Sequence, residues 1–244
     1  MIFGLLRAGG GRLPVGLLSK ASKHCSMAAL PLLVAASASF LPFLAPKAPA
    51  AAAELRDCLI AGVRDAETIE PLADACAALR VPFRANLLGD GELWRAVSIV
   101  RGATPRWEKS ARFLPFLSNR AGQAYALGGS NGGGSVVNYG EVLGRSFYFK
   151  AEGTFTPAAS ASTWDTRCPR DFDVAIREGG FVFGGRPFVS SAISGPGYLR
   201  CLYLDEDIRI FQSPGDSPDK WEEAGLVVVQ VRDRLFADPV EGEL

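Results

Sequence analysis

The chain has 244 residues, of which 48% are hydrophobic, and its 26 lysine and arginine residues balance its 26 aspartate and glutamate residues. This length suits one domain with an extension, and the apolar fraction excludes a wholly disordered chain. The single histidine, His24, argues against histidine-rich metal sites and against catalysis by a histidine base, and the neutral balance argues against a general nucleic-acid binder.

The zero net charge conceals an uneven distribution along the chain. Residues 1–53 contain no aspartate or glutamate, and their charged residues are Arg7, Arg12, Lys20, Lys23 and Lys47. Taking these five from the 26 basic residues leaves 21 against 26 acidic ones, so the extension carries +5 and the remainder about −5. An acid-free basic start is typical of organelle transit peptides. The acidic remainder predicts that any membrane association comes from apolar contact, the aromatic loops or a retained N-terminal run, and that it survives high salt.

An uncharged, mostly apolar run lies between Lys23 and Lys47, and small residues follow it as far as Ala53. A basic segment, an apolar segment and a small-residue exit are typical of a cleaved signal. We therefore expect residues 1–53 to be a targeting extension, a plastid transit peptide with a second signal for transfer into the thylakoid. In the alternative, the apolar run is a retained anchor, because it approaches the ~20 residues of a membrane span, although prolines interrupt it.

The first folded segment, Glu54–Arg80, shows apolar residues at helical spacing. The pattern predicts two short helices or one kinked helix. Asp65 or Thr68 would cap the second helix, and Pro71 would be tolerated near its first turn. Because no polar constellation lies on the apolar face, we expect this segment to cover an open end or an edge of a sheet.

Beyond Pro82 the pattern changes to short runs of β-branched and aromatic residues separated by Gly, Pro, Asn and Asp. The predicted strands are Leu93–Val100, Gln123–Leu127, Val136–Tyr139, Ser146–Glu152, Phe172–Ile176, Phe181–Phe183, Tyr198–Leu204, Asp207–Phe211 and Leu226–Arg232. No long helical pattern lies between them, which favours an antiparallel sandwich or barrel. A barrel of about eight strands encloses either packed side chains or one small ligand. The glycine-rich Gly128–Ser135 lacks the lysine of a phosphate loop and is predicted to be a hairpin connection.

One run near the C-terminus, Tyr203-Leu204-Asp205-Glu206-Asp207-Ile208-Arg209-Ile210, resembles the plastid lipid-associated proteins, also called plastid fibrillins. The segment around Trp94, the run Gly122–Tyr125 and the run Val136–Asn138 are similar to strands of that family in the same order. The likeness extends from Glu54 to about Arg232. It implies that residues 54–244 form a lipocalin-like antiparallel β-barrel with short N-terminal helices. It also implies a chloroplast location, at thylakoids or plastoglobules, and association with lipids, carotenoids or prenylquinones.

The same run supplies four candidate ligand-binding residues. In one continuous strand, Tyr203, Asp205, Asp207 and Arg209 would share a face. Alternatively, the acidic residues form a turn between two strands, since aspartate favours turns. Both arrangements place an arginine beside two carboxylates, either as an ion pair that closes the barrel or as a polar anchor for a ligand head group. A catalytic pair of carboxylates is disfavoured, because no other acid, base or nucleophile stands at a recognisable spacing.

Aromatic residues complete the candidate ligand site, because aromatic walls suit polyene or prenyl ligands. Trp94 and Tyr125 are candidates for that lining, although core packing explains Trp94 equally well. Trp164 and Trp221 lie in predicted loops, where they are exposed or contact a lipid surface, and Trp107 is a further aromatic candidate.

The cysteines of the predicted domain are Cys58, Cys76, Cys168 and Cys201, and no CxxC pair is present, which argues against zinc. We expect free thiols in a reducing compartment. In an oxidising lumen, a Cys58–Cys76 or a Cys168–Cys201 bridge becomes plausible. No metal or cofactor is predicted.

The sequence is compatible with three functions. The first is a non-enzymatic protein that binds hydrophobic small molecules at thylakoids or plastoglobules. The second is an interaction or assembly factor, with a barrel packed solid and a photosynthetic complex as partner. The third, an enzyme acting on an isoprenoid, would need clustered acids in a cavity.

Overall fold

The structure is a computed structural model. It describes residues 48–102, 120–128, 132–158, 166–191, 195–213 and 225–240. Most of the predicted extension, together with Trp107, Trp164 and Trp221, lies outside the described residues.

Short helices precede the strands, as predicted. They are α1 (Ala48–Ile60), α2 (Ala66–Ala78) and the single turn α3 (Ala85–Leu88). Asp65 caps α2, because its Oδ1 accepts a hydrogen bond from the Thr68 N–H at 2.8 Å. Helix α1 begins at Ala48 rather than at Glu54, and Ala51 is as deeply buried as Leu55, so the folded residues start before the predicted boundary.

Nine strands lie within the described ranges: β1 (Asp90–Arg101), β2 (Ala121–Leu127), β3 (Gly134–Glu141), β4 (Phe147–Pro157), β5 (Arg170–Phe183), β6 (Arg186–Ser191), β7 (Gly195–Leu204), β8 (Ile208–Gln212) and β9 (Val227–Arg232). Two predictions were wrong in detail. The runs Phe172–Ile176 and Phe181–Phe183 belong to one strand, because Gly179 and Gly180 pair with β4 instead of forming a turn. Strand β6 was not predicted.

Eight of these strands close into an antiparallel barrel. The strands follow one another around it as β1, β2, β3, β4, β5, β7, β8 and β9, and β9 pairs back onto β1. Strand β6 pairs only with the end of β5 and is not one of the eight strands of the closed barrel. The fold is therefore mainly β with a few short helices. This confirms the predicted barrel and is consistent with a lipocalin-like one.

Alternation along the strands separates an inner core from an outer one. In β8, Ile208 and Ile210 face outward and pack in a cluster with α1 and α2, whereas Phe211 belongs to the cluster inside the barrel. Valines on the outer face of β9 extend the outer cluster. The helices thus cover the outer face of the wall formed by β8 and β9. The prediction that they cover an open end or an edge was wrong, because these strands are apolar on their outer side.

Within the described residues, no helix combines the length and the apolarity needed to cross a bilayer.

Candidate functional site

The structure divides the six predicted ligand-binding residues between two places. Trp94, Tyr125 and Arg209 lie inside the barrel, and all three are buried. The other three, Tyr203, Asp205 and Asp207, lie on the outer side, where the turn between β7 and β8 meets the helices.

The acidic run forms the turn between β7 and β8, which is the second of the two arrangements considered from the sequence. The carboxylate of Asp205 accepts hydrogen bonds from the backbone N–H groups of Asp207 (2.8 Å) and Ile208 (2.7 Å). It also accepts one from the hydroxyl of Tyr203 at 2.7 Å. Burial and this hydrogen bond raise the pKa of Tyr203. Asp205 therefore holds the turn together.

Asp207 links the turn to its surroundings through arginines other than the predicted one. Its carboxylate forms an ion pair with Arg56 of α1 at 2.9 Å and lies 3.7 Å from Arg234. The predicted pairing of the acidic run with Arg209 was wrong, because the side chain of Arg209 points to the opposite face of the wall. A cavity of about 320 Å³ lies here between α1 and the turn, and Arg56 and Asp207 line it.

Arg209 is the most unusual residue inside the barrel, since its side chain has no exposed surface. Its Nε donates to Oε1 of Gln230 at 2.6 Å, and its Nη2 donates to the same oxygen and to Oε1 of Gln123 at 3.1 Å. Its Nη1 is buried and has no hydrogen-bond partner. Among the described residues, no carboxylate forms a hydrogen bond or an ion pair with this guanidinium.

Aromatic rings surround the Arg209 guanidinium. Its central carbon lies 4.3 Å from the ring centroid of Phe211, 4.6 Å from that of Tyr125 and 5.1 Å from that of Trp94. These distances are within the range of cation–π attraction, which is strengthened where water is excluded. The rings therefore compensate part of the missing hydration, but they do not supply an acceptor for Nη1.

A second buried arginine in the same region provides a natural comparison. The guanidinium carbon of Arg232 lies 3.7 Å from the centroid of Trp94. This arginine donates to both oxygens of Asp90, at 2.7 and 2.5 Å, and also to the backbone oxygens of Leu87 and Glu206. Arg232 thus has a full counter-charge, whereas Arg209 has none.

Because no carboxylate in the described part of the chain pairs with it, the buried charge of Arg209 is disfavoured. Burial lowers the pKa of Arg209 to about 9, and the nearby positive charge of Arg232 acts in the same direction. The group remains a cation at neutral pH. An uncompensated charge in the interior is costly, and a negative or strongly accepting group beside it would relieve that cost. Trp94 contributes a second unsatisfied donor, since its Nε1 is also buried without a partner.

Two cysteines lie in the inner core near the Arg209 guanidinium. The side chains of Cys168 and Cys201 are hydrogen-bonded to each other and fully buried. Burial is the main reason that the pKa of the Cys201 thiol lies well above its usual value, and the neighbouring Cys168 raises it further. Cys76 lies in the helix layer with Cys58, and burial raises its pKa to about 12. None of these four cysteines forms a disulfide bond in the structure.

Sequence reasoning missed three polar residues that complete the inner site. Gln230 and Gln123 accept hydrogen bonds from Arg209, and Gln123 also donates from Nε2 to Oδ1 of Asn138 at 2.7 Å. A signal for Gln230 and Arg232 was present in β9, where both alternate with valines. Polar residues at every second position of an apolar strand share one face, and here that face is the inner one.

Comparison with protein-family models, curated proteins and solved structures found no match. Among the described residues, no group of His, Cys, Asp and Glu side chains is arranged to hold a metal ion.

Proposed function

We propose that the barrel binds a hydrophobic small molecule whose polar end carries a hydrogen-bond acceptor, and that Arg209 holds this acceptor. One observation carries the proposal. A fully buried guanidinium has an unpartnered N–H and no counter-charge, while Arg232, its neighbour across Trp94, is fully paired.

The chemistry of arginine narrows the class of ligand. A guanidinium has donors only and stays protonated, so its partner must accept hydrogen bonds. Carboxylates, phosphates, quinone carbonyls and oxygenated carotenoid ends meet this requirement, whereas an unsubstituted hydrocarbon does not. The proposal therefore retains lipids, prenylquinones and oxygenated carotenoids from the range expected on sequence resemblance, and it disfavours carotenes.

The apolar part of the ligand would lie against the inner core. This core is rich in aromatic and branched side chains, including Phe155, Phe172, Val174, Leu199 and Phe211. A cavity of about 170 Å³, lined in part by Phe83 and Phe172, continues it between the loops at one end of the barrel. Close to Arg209 the space is filled by side chains, so a head group would enter by displacing one of the rings around the guanidinium.

The setting of this activity follows from the sequence expectations. The basic extension and the resemblance to plastid lipid-associated proteins support a non-enzymatic binder in the chloroplast, at thylakoids or plastoglobules. Hydrogen bonds and ion pairs already occupy the carboxylates of Asp205 and Asp207 at the turn, which makes them poor candidates for the acids of an isoprenoid enzyme.

Extraction of the purified full chain with organic solvent, followed by mass spectrometry, tests the proposal. We expect a co-purifying lipid, quinone or oxygenated carotenoid in the wild type and its loss in Arg209→Met. The matched variant Asp207→Asn, on the outer side of the same turn, should retain the ligand. An equal ligand content in wild type and Arg209→Met, or no bound ligand in either, would contradict the proposal.

A second candidate function, a solid-barrel interaction factor, is favoured by the close packing around Arg209. Trp94 has no exposed surface, and Tyr125 and Phe211 are also buried. In this case Arg209 would serve the fold alone, and the protein would co-purify with a photosynthetic complex rather than with a small molecule.

A further inference from the structure

The end of β5 and β6 form a hairpin, and the β5 half of this hairpin also pairs with β4 in the barrel wall. Its two-residue turn is Gly184-Gly185, and both residues have positive φ, 54° and 76°. This geometry suits a tight hairpin of the type that glycine favours. Since β6 pairs only with β5, one edge and one end of this hairpin are left without a strand partner among the described residues.

Apolar side chains concentrate at the end of this hairpin. Phe183 is 59% exposed, Phe188 69% and Val189 49%, and these are the most exposed of the large hydrophobic residues described. The rings of Phe183 and Phe188 lie 6.5 Å apart and are tilted to each other, and both pack edge-on against Phe147. Clustered exposed aromatic residues mark a surface that another phase or molecule covers.

A continuous row of rings joins this cluster to the inner core. Phe147 stacks on Phe181 at 5.2 Å, and Phe181 lies 5.4 Å from Phe149. Phe149 packs against the cluster inside the barrel. The exposed phenylalanines are therefore the outer end of an aromatic row that begins in the barrel interior.

The charges nearest the hairpin turn are positive, whereas Glu152 and Glu178 lie towards the other end of the hairpin, where they line a pocket with Val189. Arg186 lies at the hairpin turn and is exposed, and its side chain makes no hydrogen bond or ion pair with the described residues. Arg145 is also exposed and lies just before β4, beside the same turn, and its guanidinium donates one hydrogen bond to the backbone oxygen of Pro239. No aspartate or glutamate occurs in residues 142–149 or 179–191. The body of the protein is acidic, so this basic and aromatic end is a local exception that complements an anionic surface.

The free edge of β6 is poorly suited to pairing with a strand of another protein. Pro187 lacks a backbone N–H, and the register with β5 shifts between Phe181 and Val182. Proline and a bulge are features that block the addition of a strand to an edge. The apolar end, rather than the edge, is thus the surface available for contact.

We propose that this hairpin docks on an anionic lipid bilayer, with Phe183 and Phe188 entering the interface and Arg186 and Arg145 contacting head groups. Aromatic side chains favour the interfacial region, and each arginine near an anionic surface adds to the attraction. This docking does not depend on the role of Arg209. If the hairpin docks on lipid and Arg209 also holds a ligand, the aromatic row connects the lipid surface to the barrel interior.

Flotation of the full chain with vesicles tests the docking. One set of vesicles contains phosphatidylcholine alone, and the other also contains phosphatidylglycerol. We expect wild type to bind the anionic vesicles more strongly, and Phe183→Ser/Phe188→Ser to reduce that binding about tenfold or more. Arg186→Gln should reduce it about fivefold, with no effect on phosphatidylcholine vesicles. The control Ile60→Ser, which removes an exposed apolar side chain from α1, should bind like wild type.

Three results would overturn the docking proposal: wild type that binds neither vesicle, a double variant that binds as wild type does, or a control that loses binding equally. A self-associating chain that becomes monomeric in the double variant, without vesicle binding in wild type, would assign the hairpin to contact between copies. Arg209→Met should leave vesicle binding unchanged, so this test is independent of the ligand experiment.

Discussion

The two buried arginines beside Trp94 allow a direct test of which one serves the fold. Replacement of either by methionine keeps apolar bulk against the ring and removes the charge. For Arg209, the shift of the pKa from 12.5 to about 9 corresponds to roughly 5 kcal/mol against the cation, as an upper value. Loss of the three hydrogen bonds to Gln230 and Gln123 and of the cation–π contacts, at roughly 0.5–1 kcal/mol each, offsets most of this gain. We therefore expect Arg209→Met to be neutral or more stable by up to ~2 kcal/mol.

The opposite result is expected for Arg232→Met. Asp90 would lose its partner, and the backbone oxygens of Leu87 and Glu206 would lose a donor. Breaking a buried pair costs ~3–5 kcal/mol, and the carboxylate of Asp90 is one-third exposed, which reduces the cost to about 2–4 kcal/mol. Urea unfolding of delipidated protein at pH 7, followed by fluorescence and circular dichroism, measures both free energies. Equal destabilisation by the two substitutions would refute the distinction and make Arg209 a structural residue.

Three further predictions concern stability and thiol chemistry. Glu141→Leu should lower the free energy of unfolding by about 3 kcal/mol, because it removes the buried carboxylate bonded to Arg120 and leaves only Asp238, 3.8 Å away and half-exposed. Glu141→Gln should cost less, and urea titration compares the two variants. Burial alone would raise the pKa of Asp171, but hydrogen bonds from Arg200 and Tyr198 have the larger effect, and the pKa is lowered. The folded state therefore favours the ionised carboxylate. The resulting stabilisation is complete above the unfolded pKa of ~3.9 and is lost as the pH falls below that value. Asp171→Asn should weaken this acid dependence in thermal melts from pH 2 to about 6, and an unchanged profile would contradict the assignment. Cys201 should resist alkylation at pH 8 in the native protein and react on unfolding, whereas rapid native labelling would show that the inner core opens.

Alternating apolar positions were sufficient to predict most of the barrel strands, because each wall strand has one face inside and one outside. The pattern failed at Gly179-Gly180, where glycines signal a turn but here pair within a long strand across a register shift. It also failed at β6, since Pro187 and the exposed Phe188 do not follow the rule for a half-buried strand. In both places, pairing with a neighbouring strand overrides the local signal.

The identity of the candidate residues could be predicted, but their grouping could not. The sequence from Tyr203 to Arg209 fits either one polar strand or two strands joined by an acidic turn, and it does not choose between them. The turn at Asp205 and a register shift between Cys201 and Tyr203 place the acids outside and the arginine inside. Gln230 is the direct cross-strand partner of Arg209 in the β8–β9 pair, whereas Gln123 of β2 is 86 residues away in sequence and reaches Arg209 only because β9 pairs with β1. Local patterns carry no information about such contacts.

The central claim is that Arg209 holds the acceptor of a hydrophobic ligand. The most direct measurement is the dissociation constant of a prenylquinone and of a hydrocarbon with a matched side chain, for wild type and Arg209→Met. Loss of a hydrogen-bonded charge in the interior should weaken quinone binding by about 2 kcal/mol or more, roughly thirtyfold, and leave hydrocarbon binding nearly unchanged. Equal weakening of both ligands, or quinone binding that survives the substitution, would contradict the claim.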